Sequence, residues 1–401
     1  MDIKVGVGIS LDQDATTAGK EAVKNALQQA GTDKADFMLV FASSRYEQQK
    51  LLDGIKDVSS APMVGGSTAG EISNQGPTDN SVVIAVINSK EITFYTGLGE
   101  NINKGEVEAG AKAAFMALEQ CKDQENKKTW LMFPDGLSGD GRAIIQGVYN
   151  VLGEDFEIVG GVLGDDAKFQ KTYQYYNGQV YNNAVVGVLV CGDVVTGCGI
   201  RAGWSSIGNR MRCTKSVGTT VYELDNKPAL ELYKRYLGPD RSERLPAIAF
   251  EYPFGIIDEK VLIEDKEYLR LRTPLSINEE SSSMNFGVTI AEGTDVAITS
   301  ASRHQIIEAA KQAALQAKST MGGAKPLLIL DFASVGRKFV LGPRSPEEIR
   351  AIRTIIGDHV PMIGFYTYGE IGPIDKRVNN LKLSKFHNQT TLLWVLWSNV
   401  F

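Results

Sequence analysis

Pro361–Ile371 reads PMIGFYTYGEI, and the chain has already written it once, as PMVGGSTAGEI at Pro62–Ile72; seven of the eleven positions are identical. A more divergent version lies between them, IVGGVLGDD at Ile158–Asp166, again a short β-branched run, then glycines, then an acid. Such repetition is settled before any motif is read, because a chain built of recurring units has to be divided by unit.

The similarity spreads outward from these turns. Upstream of each lies a strand pattern ending in small or turn-forming residues: FMLVFAS at Phe37–Ser43, WLMFPDGLS at Trp130–Ser138 and LLILDFAS at Leu327–Ser334. Each of these follows an Ala-rich helical pattern, at Thr17–Ala30, Val107–Cys121 and Ser302–Ser319. Downstream comes another apolar strand: Ser81–Ile87, Ala184–Cys191 and Thr390–Trp397. The pattern predicts three diverged copies of one unit: helix, strand, loop, helix, strand, glycine turn, acid, strand. Strands this continuously apolar are buried on both faces, so the expected fold is a layered α/β protein with mixed sheets inside and helices outside.

Composition narrows the function. At 401 residues and 43% hydrophobic the chain can bury a sizeable core, and its length suits two or three domains. A net charge of −6 with no long basic run argues against nucleic acid, whose phosphates are held by clustered Lys and Arg. The start, MDIKVGVGIS, reads as a strand rather than a signal peptide. The longest apolar region, Ala184–Ile200, is broken by Asp193 and several glycines, so it reads as a hairpin turning at Cys191-Gly192-Asp193 and not as a membrane span. A cytoplasmic protein is the expectation. Cys121, Cys191, Cys198 and Cys213 contain no C-x-x-C pair and there are three histidines in all, so no structural zinc site is expected.

Taken in order, residues 1–205 hold two of the units. Between Arg201 and Ser216 the pattern weakens into Gly, Ser, Asn, Arg and Lys, which reads as a linker between two domains. Tyr222–Leu237 has apolar residues at helical spacing, with Asp225 or Asn226 as N-cap and Pro228 in the first turn. Leu245–Ser300 alternates like a set of strands, and the third unit closes a second domain of residues 217–401.

Five separated motifs then carry a family resemblance: VGGSTAGE at Val64–Glu71, FPDGLSG at Phe133–Gly139, VGGVLGDD at Val159–Asp166, YELDNKPALELY at Tyr222–Tyr233, and GFYTYGEIGP at Gly364–Pro373 with FHNQT at Phe386–Thr390. In this order they resemble the FIST domain, in its N-terminal half (residues 1–205) and its C-terminal half (residues 217–401). The resemblance implies a bacterial or archaeal sensory module that binds a small ligand such as an amino acid. One subgroup resembles haem-binding nitric oxide sensors acting on histidine kinases, and cyclic-dinucleotide signalling is a further implied partner. Where many relatives have Phe-Ser-Cys this chain reads Phe332-Ala333-Ser334, so it lacks the thiol on which ligand chemistry at that position would depend.

On their own merits the site residues read as follows. Paired glycines ending a strand expose N–H groups that can cradle an anion, and Glu71, Asp166 and Glu370, each just past such a turn, either bind an ammonium group or hold the loop. The loop Pro134–Arg142 lacks the lysine of a phosphate loop and carries aspartates that would repel phosphate. It is placed either for a ligand, through Asp135, or as a plain strand-to-helix connection capped by Ser138 or Asp140. No nucleophile motif has a histidine nearby in sequence, so an enzyme is not expected, a hydrolase ranking third among the functions. His387 is either a haem ligand or a structural imidazole at a strand start; no metal or cofactor is expected unless haem binds there.

The last copy replaces Gly66, Ser67 and Ala69 with Phe365, Tyr366 and Tyr368. Strand alternation would put Tyr366, Tyr368 and Glu370 on one side, so the ligand pocket is expected there, with Phe386, His387 and Asn388 on the opposite wall and Ser67 and Asp135 as the fallback positions. The expected function is a stand-alone sensor of a small ligand that signals through a partner protein.

Overall fold

The computed structural model describes residues 3–122, 126–263, 266–374 and 383–399. The first stretch runs β1 (Lys4–Ser10), α1 (Ala15–Ala30), β2 (Phe37–Ser43), α2 (Gln48–Lys56), β3 (Met63–Thr68), β4 (Glu71–Ser73), β5 (Gly76–Thr78) and β6 (Val82–Asn88). The second repeats that order: β7 (Ile92–Glu100), α3 (Glu106–Gln120), β8 (Lys127–Pro134), α4 (Gly141–Leu152), β9 (Ile158–Val162), β10 (Gln174–Tyr176), β11 (Gln179–Tyr181) and β12 (Ala184–Gly192).

The third starts with β13 (Val194–Arg201) and is interrupted by an insertion. This holds β14 (Ser205–Ser206), β15 (Met211–Val217), β16 (Thr220–Leu224), β17 (Lys227–Pro228), α5 (Ala229–Leu237), α6 (Pro239–Ser242), β18 (Phe254–Ile263), β19 (Lys266–Arg272), β20 (Ser276–Asn278), β21 (Ser283–Asn285) and β22 (Asp295–Ser300). The third stretch then resumes with α7 (Arg303–Lys318), β23 (Pro326–Ser334), α8 (Val335–Leu341), α9 (Ser345–Ile356), β24 (Met362–Thr367), β25 (Gly369–Pro373), β26 (Ser384–His387) and β27 (Thr391–Ser398).

Each stretch builds a sheet of the same topology: β1-β6-β2-β3, β7-β12-β8-β9 and β13-β27-β23-β24, with only the last pair parallel in each. The short strands after each glycine turn leave home. The β4–β5 pair extends the third sheet at β24, β10–β11 extends the first at β3, and β25–β26 extends the second at β9. The three stretches are thus linked in a ring of exchanged hairpins.

Alternation along the central strands sorts their side chains. Phe37, Leu39 and Phe41 of β2, Leu131 and Phe133 of β8, and Leu328, Leu330 and Phe332 of β23 point into one shared interior. The intervening residues face outward onto the helices, in a separate cluster for each stretch. The helices pack unusually close because the first strand of each stretch carries Gly-x-Gly beneath an Ala-rich helix. A Cβ on Gly8, Gly99 or Gly199 would fall 2.0, 1.9 and 1.9 Å from a helix carbonyl oxygen of Ala22, Ala109 and Ala313. The first glycine of each turn is required for the same reason: a Cβ on Gly65, Gly160 or Gly364 would lie 1.8, 1.9 or 2.0 Å from the carbonyl oxygen of Val40, Met132 or Asp331 on the neighbouring parallel strand.

Three local expectations are corrected. The β12 and β13 strands do not form a hairpin; each pairs within a different sheet, so Asp193 is where the chain crosses between sheets. The stretch Arg201–Ser216 is a packed connection carrying β14 and most of β15, which pair with β22 and β16. Tyr222–Leu237 starts as strand, and Asp225 and Asn226, both at positive φ, make a turn to β17 instead of capping the helix, which begins at Ala229. No described helix is long and apolar enough to cross a membrane.

Candidate functional site

The glycine turns place their acids inside the protein. After β3, Gly70 at φ 123° redirects the chain into another sheet, and Glu71 ends fully buried. Its carboxyl accepts from the Thr68 hydroxyl, the Ser81 hydroxyl and the Ser81 N–H, the last at 3.2 Å. Glu370 repeats this with the Thr367 hydroxyl, the Thr390 N–H at 3.0 Å and the Thr390 hydroxyl at 2.6 Å. Each acid ties its turn to the start of the closing strand, which is the loop-holding role. Burial pushes Glu71 up to about 8 and Glu370 up to about 7, against the hydrogen bonds that favour their charged forms.

The middle copy divides this work. Asp165, 1% exposed, accepts the N–H groups of Phe169, Gln170 and Lys171 at 2.8, 2.6 and 2.8 Å. Asp166 accepts from the hydroxyls of Ser43 and Ser44 at 3.0 and 2.6 Å. Asp135 takes over the closing strand, accepting from Leu137 N–H at 2.8 Å and Asn183 N–H at 2.9 Å. Asp140, not Ser138, caps α4.

Tyr366 and Tyr368 part company with Glu370. The strand ends at Thr367 and the chain moves from the third sheet to the second, so simple alternation no longer applies beyond Thr367. Tyr366 is wholly buried in the outer cluster of the third stretch, where burial pushes its hydroxyl far up. Ser67 is also fully buried; its hydroxyl donates to Gly164 O at 2.7 Å and accepts from Tyr173 N–H at 2.9 Å. The Nε2 atom of His387 lies 3.1 Å from Gly372 O inside the β25–β26 pair, and burial pushes the imidazole down to about 3. His387 is not on the cavity wall described next, and that cavity is far smaller than a porphyrin needs, so these residues do not fit haem.

What the structure does bring together is Tyr368, Asn388 and Asp135, with Phe386, around a cavity of about 150 Å³. One wall is the loop from Pro134 to Gly141 and the start of α4. A second is the end of β23 with Ser334 and Val335, closed by Gln389. The third comes from the insertion: Phe250, Thr273, Leu275 and the segment 286–288.

The Tyr368 ring stacks on Phe169 at 4.5 Å between centroids and 15° between planes, and its hydroxyl donates to Asp165 Oδ1, which fixes the ring against the cavity. Asn388 is oriented by two contacts: its Nδ2 donates to Tyr368 O at 3.4 Å and its Oδ1 accepts from Arg272 at 3.1 Å. Gln389 Nε2 donates to Thr273 Oγ1 at 2.8 Å and to Phe250 O at 3.3 Å, and so pins the insertion to the third stretch. Three rim side chains, Leu137, Phe169 and Leu275, are large, apolar and between 41% and 43% exposed.

The wall is therefore mostly apolar and aromatic, with the amides of Asn388 and Gln389, the hydroxyls of Thr273, Ser334 and Tyr368, the carboxylates of Asp135 and Asp140, and no Lys, Arg or His among the described lining residues. Sequence reasoning missed Ser334, Gln389 and the whole insertion wall. Gln389 carried a faint signal, following His387-Asn388; the insertion residues carried none, because their place depends on how two distant segments pack.

The chain matches the FIST N domain over residues 36–227 and the FIST C domain over residues 229–373. It is 37% identical over 94 residues to an uncharacterised protein, MJ1623, of Methanocaldococcus jannaschii, an alignment spanning 23% of this chain and 18% of that protein. Among solved structures, cyanuric acid hydrolase from A. caulinodans aligns over 99% of this chain and 100% of its own at 8% identity, with a TM-score of 0.39. T. maritima PurL complexed with ATP aligns over 98% and 71% at 13% identity, with a TM-score of 0.21.

Proposed function

We propose, from the premise that the chain belongs to the FIST family of sensory domains in signal transduction, that the cavity beside Tyr368 and Asn388 is its ligand site. The observation that supports this is convergence: one cavity draws its wall from the Pro134 to Gly141 loop, from Phe250, Thr273, Leu275 and Phe286 of the insertion, from Ser334 and Val335, and from Tyr368, Phe386, Asn388 and Gln389, on segments that belong to three different sheets. A ligand held there touches all of them, and its binding energy is available to favour one relative arrangement over another.

The wall suits a small molecule with an apolar body and a polar head, such as an apolar or aromatic amino acid. Phe169, Phe250, Phe286 and Phe386 face the body, while Ser334, Thr273, Asn388 and Gln389 supply hydroxyls and amides for the head. Signalling then passes to a partner protein, through the insertion that Gln389 joins to the third stretch.

The test is a thermal-shift screen of the purified protein against the twenty L-amino acids, followed by calorimetry on any that respond. An apolar or aromatic amino acid is expected to raise the melting temperature, Asn388→Ala to weaken that response, and Val288→Trp to abolish it by filling the cavity. No response to any amino acid, together with native mass spectra that show nothing retained, would overturn the reading.

A further inference from the structure

Cys121 and Cys191 lie 70 residues apart in sequence and on different elements, yet their sulfur atoms are 3.5 Å from each other. Cys121 closes the C-terminal end of α3, and Cys191 is near the end of β12 on the sheet beneath that helix. Both are buried, at 6% and 2% exposure, and both belong to the apolar cluster between the helices and the second sheet. A disulfide needs its sulfurs about 2.05 Å apart, so an approach of about 1.5 Å separates the two thiols from a bond. A helix end is the part of a helix best able to supply such a movement.

We propose that Cys121 and Cys191 form a peroxide-oxidisable dithiol, a modification site in which the end of α3 becomes covalently fastened to β12. Cys121, the more exposed of the two, reacts first. Its thiolate sulfur attacks one peroxide oxygen, the O–O bond breaks, and the products are a sulfenic acid and, after protonation of the leaving hydroxide, water. The Cys191 thiolate then attacks the sulfenic sulfur, forming the S–S bond and expelling the oxygen as a second water. The balance is two thiols plus one hydrogen peroxide to one disulfide plus two waters, the two sulfurs giving up the two electrons that reduce the peroxide.

The site touches the rest of the molecule through α3. That helix packs against α4 at Gly110, where a Cβ would fall 2.2 Å from Ile144 O, and Ile144 lies on the cavity wall. Fastening one end of α3 therefore restrains a support of that wall. The dithiol itself stands on the sulfur geometry and not on the ligand reading.

The experiment treats the full-length protein, freed of reductant, with hydrogen peroxide, then labels remaining thiols in denaturant and maps the linked peptides. The expected result is loss of two of the four thiols, a mass lower by two hydrogens, one linked pair containing Cys121 and Cys191, and full recovery with dithiothreitol. Cys198 and Cys213 serve as internal controls and keep their label. In Cys121→Ser the two-thiol loss and the linked pair disappear. Retention of all four labels, a linkage involving Cys198 or Cys213, or stable sulfinic acid in place of the cross-link would overturn the proposal. The wild-type peptide map decides the matter even if the variant folds poorly.

Discussion

Glu370 accepts both the backbone N–H and the hydroxyl of Thr390, at 3.0 and 2.6 Å, and so clamps the turn after β24 to the start of β27. Glu71 does the same to Ser81 in the first stretch. The clamp is part of the fold, so its loss should be read in stability. Thr390→Val keeps the N–H and removes the hydroxyl; it is expected to lower unfolding free energy by about 1.5–3 kcal/mol, the scale of a hydrogen bond to a charged or partly charged acceptor. Urea denaturation measures it. A variant of unchanged stability whose small-molecule binding is weakened would return Glu370 to the ligand site.

Three buried acids set a pH dependence. Burial pushes Glu71 and Asp331 up to about 8 and Glu370 up to about 7. In the unfolded chain such carboxyls titrate near about 4, so between about pH 4 and 8 these three groups bind more protons in the folded protein than in the unfolded one, while the single His387, held neutral by burial, opposes them only below about pH 6.5. Stability from these groups is fully present below the unfolded value and is lost as pH rises through the folded values. The melting temperature should fall between about pH 5 and pH 8, and Asp331→Asn, neutral at every pH, should flatten the slope. A melting temperature that is constant or rises over this window would contradict the assignment.

Phe365 fills the middle of the ring. It packs on Phe41, Phe332 and Phe133 at centroid distances of 4.5, 5.6 and 6.4 Å, while Gly161, at the matching position of the second stretch, leaves the room: a Cβ there would lie 2.8 Å from Phe365 Cζ. Phe365→Ala should cost about 3–5 kcal/mol by leaving a cavity at a site walled by three rings. Gly160→Ala should fail to fold, since its Cβ would meet the Met132 backbone. Circular dichroism melts of the two variants decide both; a Phe365→Ala protein of native stability would show that the ring of phenylalanines is not the keystone of the core.

Limited trypsinolysis addresses the division at residues 201–216. Arg210 is exposed in an irregular segment between β14 and β15, so cleavage is expected there. The fragments should nevertheless stay together on gel filtration, because β4 of the N-terminal half pairs with β24, β25 of the C-terminal half pairs with β9, and β13 pairs with β27. Fragments that separate and remain folded would establish two independent domains.

The sequence by itself determined the elements and their order. Buried strands read as apolar runs, Ala-rich helices read as such because they press on Gly-x-Gly strands, and the glycine turns marked the same place three times, twice as Pro-Met-x-Gly and once as Ile-Val-Gly-Gly; all of these are local constraints, written within a few residues. It also placed Tyr368, Asn388 and Asp135 among the candidates. Only the tertiary structure decided which candidates meet. Glu71 and Glu370 looked like ligand groups because an acid after a glycine turn reads the same whether it faces solvent or a buried threonine and serine. Tyr366 parted from Tyr368 because the chain changes sheets between them, and strand alternation holds only while a strand stays in one sheet. The exchange of hairpins around the ring, and the insertion wall at Phe250 and Thr273, arise from pairings between segments more than a hundred residues apart, and side-chain periodicity carries no record of a partner at that distance.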